Sequence, residues 1–174
     1  KAKLKCGKIG IEKYLKKGVD FRCIRFPGII SAISRPTGGT SDYAPEMIHA
    51  AFLNEKYNCF VNNKTILPFI AMPDAIDAII KLMNTSKENI KSKIYNVTSF
   101  SPSVSDLEIK IKEFFPNFKL SYDIDKNRQK IVDSWPNFIN DTLAREEWGW
   151  SSNLNFDNFF ITYINPNLKE YYKI

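Results

Sequence analysis

Two short segments hold residue types from which a small-molecule site could be built. Gly39-Thr40-Ser41-Asp42 joins a loop to the start of a helix. Two hydroxyls and the free amides of a helix's first turn suit a carboxylate, and the carboxylate of Asp42 suits an ammonium group. That is the charge pattern of an amino acid. Ser41 or Asp42 also reads more plainly as a helix N-cap, and the two roles are compatible. Pro27-Gly28-Ile29 follows a strand, at the carboxyl end where ligands of open α/β sheets sit, and Gly28 permits close backbone approach. Its plainer reading is a strand-ending turn.

Metal and disulfide chemistry find little support. Cys6, Cys23 and Cys59 are odd in number and form no CxxC pair, which argues against a disulfide framework and fits a reducing compartment. His49 is the sole histidine; it cannot complete a zinc site with such scattered thiols and reads as a surface or interface residue. No metal is expected.

These segments need elements to hold them, and the pattern alternates helices with strands. Residues 3–17 read as a helix with Leu4, Ile11 and Leu15 on one face, weakened by Gly7 and Gly10. Asp20–Phe26 alternates apolar and polar residues as a strand does. A helix is expected over Tyr43–Leu53, and strands over Asn58–Val61, Leu67–Ala71, Lys93–Val97 and Phe118–Tyr122. Ile76, Ile79, Ile80 and Met83 recur at helical spacing, predicting an inward apolar stripe behind Pro73, with Asp74 as a helix-start residue. Ser105 to Glu108 has the form of a capping box. Asp123–Ser134 reads as a polar loop, and Asp141 as the N-cap of a helix running to Trp148. Trp148 and Trp150 read as packing residues. Strands separated by crossover-length helices indicate an α/β protein with parallel strands. No GxGxxG follows a strand, and the only paired glycines are Gly38-Gly39.

Four segments, in order, carry a resemblance: Arg25-Phe-Pro-Gly-Ile-Ile-Ser31, Gly38-Gly-Thr-Ser-Asp-Tyr-Ala44, Leu67-Pro-Phe-Ile-Ala-Met-Pro-Asp-Ala75 and Arg128-Gln-Lys-Ile-Val-Asp-Ser-Trp-Pro136, followed by Ala144-Arg-Glu-Glu-Trp-Gly-Trp150. Together they resemble the NAD-dependent L-threonine 3-dehydrogenases, extended short-chain dehydrogenases related to sugar-nucleotide epimerases. The resemblance runs from about Lys8 to about residue 160 and matches only the C-terminal part of that family. It implies the C-terminal portion of a Rossmann-type doubly wound parallel sheet plus a small α/β substrate-binding cap. Residues 1–100 would be the remaining half of the NAD-binding domain, with cap elements around 28–62, and residues 101–174 mainly cap.

The resemblance also implies roles. Placing Glu12 on the family's helix glutamate puts Lys8 at the lysine of YxxxK, as a catalytic and NAD-binding residue, with Leu4 where the tyrosine belongs. Such a lysine lowers the pKa of a tyrosine one turn away so that it accepts the substrate's hydroxyl proton, and leucine cannot do this. Pro27, Gly28 and Ile29 would lie beside the nicotinamide. Trp135 would pack on the methyl of threonine, joining Gly39, Thr40, Ser41 and Asp42 as the substrate-binding set. Arg128 would anchor the loop before Trp135 through a carboxylate. The family's nucleotide-binding glycines belong upstream of Lys1. The complete enzyme oxidises L-threonine at C3 to 2-amino-3-ketobutyrate with NAD, as a homodimer.

Composition bounds the alternatives. The chain has 174 residues, 44% hydrophobic and 25% charged, enough to bury a core and too apolar for disorder. Its net charge of +6 equals that of the first 17 residues, which hold seven lysines and one glutamate. A nucleic-acid-binding domain spreads its basic stripe over the folded body, so neither nucleic acid nor membrane is an expected partner. The opening, KAKLKCGKIG, lacks the apolar stretch of a signal peptide, and a cytoplasmic or mitochondrial protein is expected, not a secreted one. Two further readings stand beside the dehydrogenase: a catalytically inactive remnant or truncated product of that family without NAD binding, and a fragment of a sugar-nucleotide epimerase or dehydratase.

Overall fold

The computed structural model describes residues 2–173. Thirteen helices and strands are labelled here in chain order: α1 (Ala2–Lys13), β1 (Cys23–Arg25), β2 (Gly28–Ile30), α2 (Tyr43–Phe52), β3 (Lys56–Cys59), β4 (Phe69–Ala71), α3 (Met72–Asn84), β5 (Ile94–Asn96), α4 (Val104–Phe114), β6 (Lys119–Tyr122), α5 (Lys126–Asp133), α6 (Thr142–Trp148) and α7 (Asn165–Tyr172). The strands form three parallel pairs, β1 with β5, β2 with β4 and β3 with β6. Parallel pairing needs crossovers, and the helices between the partners supply them. The α/β class expected from the sequence is the class observed.

The core has two halves that meet at β4. Phe69 and Ala71 belong to a cluster with Ile30, Met47, Leu107 and Phe160, and Ile70 between them belongs to one with Ala78, Tyr95, Trp148 and Trp150. Alternation along a strand buried on both faces puts neighbours into opposite layers.

Several elements differ from the sequence expectation. Pro27 breaks the chain only briefly: Gly28–Ile30 resumes as a strand, because leaving the edge of β5 it finds a second partner in β4. In α3 the expected inward stripe faces outward. Ala75, Ala78 and Leu82 are buried, while Ile76, Ile79, Ile80 and Met83 are exposed. Both sets have helical spacing, and Asp74 selects between them. Its carboxylate is buried and accepts from Ser99 Oγ at 3.0 Å and from the amides of Asn153 and Leu154 at 3.0 and 3.2 Å. That fixes the rotation of α3, and the alanines below it allow a close approach. Asp74 is thus a buried bridge as well as a first-turn residue.

A similar inversion occurs in α1. Leu4 is exposed and Ile11 only half-buried, whereas Gly7 and Gly10 are buried. A Cβ on Gly10 would stand 2.0 Å from the Phe21 ring, so glycine, one turn from glycine, is the packing face. Residues 126–133, expected as loop, form α5, whose first-turn amides at Asn127 and Arg128 donate to Asp125. The capping box lies two residues earlier than read, with Ser103 and Asp106 exchanging bonds. His49, expected as a surface or interface residue, is buried within the chain, its Nε2 3.3 Å from Ser31 O and its Nδ1 2.9 Å from the Tyr172 hydroxyl.

Candidate functional site

β1 and β5 run parallel, with Arg25 opposite Asn96 as their last residues. Beyond these carboxyl ends opens a cleft of about 510 Å³. The turn at Phe26, Pro27 and Gly28 forms one side, Leu67 and Pro68 another, and Ser41 approaches from the segment before α2. Trp135, Pro136, Phe138, Ile139 and Asn140, the run after α5, complete the wall. A cleft at the carboxyl ends of parallel strands is where an open α/β sheet binds ligands.

The cleft brings together four of the residues singled out in the sequence: Pro27, Gly28, Ser41 and Trp135. Gly39, Thr40, Asp42 and Ile29 do not line it. The Asp42 carboxylate is engaged locally, accepting from the amides of Gly39 at 2.7 Å and Thr37 at 3.1 Å. It stands at the N-cap position of α2 without a side-chain capping bond to the helix. Its bonds shape the turn that carries Ser41. The missing Cβ of Gly28 has a packing reason too, since a Cβ there would meet the Phe69 ring at 2.7 Å. Lys8 is exposed on α1 and is not among the lining residues. Arg128 lies 3.8 Å from Asp125 and stacks over Phe60, its guanidinium carbon 4.3 Å from the ring centroid.

The sequence reading missed Arg25, Asn96, Phe138 and Asn140 as lining residues. Arg25 and Asn96 carried a usable signal: each ends a strand, and parallel strands end on the same side. Asn96 donates from Nδ2 to the Asn140 carbonyl at 3.2 Å, which ties the run after α5 to the sheet. Phe138 is 71% exposed and Trp135 39%. Two aromatic side chains therefore hold unspent apolar surface at the mouth of the cleft.

Arg25 is the one ionisable side chain among the described residues lining the cleft. Among the described residues no tyrosine, lysine, histidine or carboxylate lines it, so these walls offer no side-chain proton acceptor of those kinds. Among the described residues no group of three or more His, Cys, Asp or Glu side chains could hold a metal ion, and no helix is long and apolar enough to cross a membrane. The buried Cys59 thiol is pushed up to about 11 by desolvation, which keeps it a protonated packing residue.

No protein-family model matches the chain. It is 37% identical over 152 residues to the mitochondrial L-threonine 3-dehydrogenase of Sus scrofa, covering 87% of this chain and 41% of that protein. Over 138 residues it is 43% identical to an uncharacterized epimerase/dehydratase of Staphylococcus epidermidis, covering 79% of this chain and 43% of that protein. The solved L-threonine dehydrogenase of Phytophthora infestans superimposes with a TM-score of 0.89 at 34% identity, over 98% of this chain and 54% of that one. These relatives and structural neighbours are threonine dehydrogenases and epimerase/dehydratase-like proteins, and the chain is similar to them over part of their length. It spans less than half the length of the curated relatives named here. Its parallel pairs are part of their Rossmann-type sheet.

Proposed function

We propose that this chain forms the substrate side of an NAD-dependent oxidoreductase that oxidises L-threonine at C3 to 2-amino-3-ketobutyrate. The observation that carries the reading is the cleft itself. Its walls come from the Pro27-Gly28 turn and from Trp135, two of the segments by which the chain resembles the threonine dehydrogenases. The division of labour follows from the lining. The Trp135 indole and Phe138 ring exclude water and pack on a small aliphatic group such as the methyl of threonine. Ser41 and Asn96 offer neutral hydrogen-bonding groups to the hydroxyl or ammonium.

NAD, when bound, would accept the hydride from the carbinol carbon. The described residues fit only its nicotinamide end, at Pro27 and Gly28, with Ile29 next in the chain but outside the cleft's lining. Among them no GxGxxG turn joins a strand to a helix to cradle a pyrophosphate; the Gly38-Gly39 pair between β2 and α2 lacks that spacing. Residues 1–100 then contribute the later strands of the NAD-binding domain and residues 101–174 mainly the cap.

A second reading has its own observation. Lys8 is exposed and is not among the cleft's lining residues, and none of those residues is a tyrosine, lysine, histidine or carboxylate, so the 174 residues alone bind substrate without turning it over. Two measurements on the purified chain separate these readings. Titration with L-threonine should shift the Trp135 indole N–H resonance, and Trp135→Ala should abolish saturable binding. Adding NAD and L-threonine together should give no NADH absorbance. Threonine-dependent NADH formation would overturn the binding-only reading, and a cleft silent to threonine would overturn the substrate assignment.

A further inference from the structure

Among the described residues, Arg25 is a cation without an ion-pair partner in the wall of this cleft. Its Nε is buried with no hydrogen-bond acceptor, and none of the ion pairs among the described residues includes it. Its position is nonetheless tightly defined. A Cβ on Gly7 would stand 3.4 Å from Arg25 Nη2 and 2.7 Å from Ile94 Cδ1. Helix α1 therefore comes down on the guanidinium, and it can do so because residue 7 is glycine. Strand pairing with Asn96 fixes the other end of the side chain.

A buried N–H without an acceptor costs free energy, and arginine does not escape by losing its proton. The rest of the wall is apolar or neutral, which strengthens the field of a lone cation and leaves no internal anion to quench it. With Nε enclosed and Nη2 beneath α1, the remaining N–H groups of this guanidinium are the ones that match a planar or tetrahedral anion in the cleft.

We propose that Arg25 binds the anionic group of the ligand that enters this cleft. On the substrate reading above, on which only the identity of the anion rests, that group is the carboxylate of the amino acid. Asn96 fits beside it. With Nδ2 given to the Asn140 carbonyl, its Oδ1 is left as an acceptor for an ammonium or hydroxyl hydrogen. The anion site thus lies at the end of β1, and the turn at residues 39–42 is a structural neighbour of it.

Carboxylate and phosphate share this chemistry, so the test uses three probes on the full 174-residue chain: L-threonine, L-threoninol, which lacks the carboxylate, and inorganic pyrophosphate. The Nε–H resonance of Arg25, assigned by its loss in Arg25→Lys, is followed together with the Trp135 indole. L-Threonine should shift the Arg25 resonance saturably, L-threoninol should not, and Arg25→Lys should weaken threonine binding by about tenfold. Arg25→Met should weaken it further, and if that variant does not fold, the wild-type titrations and Arg25→Lys decide. A shift with pyrophosphate and none with threonine supports Arg25 as the anion site and overturns the threonine reading. An Arg25 resonance unmoved by every probe overturns the anion site, even where threonine moves Trp135 and the substrate reading stands.

Discussion

Trp150 donates its indole N–H to the carboxylate of Asp141 at 3.0 Å. Asp141 was expected as an N-cap, but its side chain makes no capping bond. It takes two bonds from Arg145 at 2.8 and 2.9 Å and turns to Trp150 in the core. The five residues before it, 136–140, include most of the cleft's outer wall, so this bond anchors one end of that wall.

Replacing Asp141 by alanine should destabilise the chain by about 1–3 kcal/mol, since the buried indole N–H loses its acceptor. Arg145 is half exposed, so its ion pair adds little. Asp141→Asn keeps an acceptor and should cost less. Urea unfolding of the two variants checks the order, and an asparagine variant as weak as the alanine one would show that charge governs this anchor.

Asp74 supports the fold in the same manner from the other side. Its carboxylate accepts three bonds, two of them from backbone amides. Asp74→Ala orphans the Asn153 and Leu154 amides and should cost about 1–3 kcal/mol for each donor that stays dry. Hydrogen exchange should then quicken at residues 153 and 154 before it does in α4.

The outward face of α3 gives a prediction of opposite sign. Ile79 is 43% exposed and Met83 71%, whereas Ala78 has no exposure. Ile79→Lys should change stability of this chain by no more than about 0.5 kcal/mol, while Ala78→Leu should cost about 1–3 kcal/mol by overpacking. Equal losses at both positions in denaturant titrations would mean that the stripe is covered.

How much of this was legible in the sequence depends on what fixed each element. The α/β class, a strand within Asp20–Phe26, and the segments of Pro27, Gly28, Ser41 and Trp135 that meet at one cleft could be read because apolar periodicity, turn residues and the family-like segments all pointed one way. The rotation of α3 could not, since two helical stripes compete and the deciding bonds come from Ser99, Asn153 and Leu154, far away in sequence. Gly7 and Gly10 read as helix weaknesses because their value lies in what they touch. Arg25 was visible as a strand residue, yet its isolation is a property of the folded cleft: charge can be counted along a chain, but the absence of a partner cannot.

His49 supplies a pH dependence. Burial holds its pKa below the ordinary 6.5, the bond to the Ser31 carbonyl opposes that, and Arg35 lowers it further. The carbonyl can only accept, so Nε2 carries the proton and Nδ1 accepts from the Tyr172 hydroxyl. The unfolded chain, with the ordinary pKa, therefore takes up a proton before the folded one does. Stability from this group is full above about pH 6.5 and is lost as pH falls toward the folded value. The α2–α7 contact should loosen first, because Tyr172 lies on α7. Urea midpoints measured between about pH 7.5 and pH 5.5 should fall more steeply for the wild type than for His49→Gln, which does not titrate there. The slope is the readout, since the substitution also changes packing at every pH. Parallel slopes would assign the acid loss to carboxylates and leave His49 a packing residue alone.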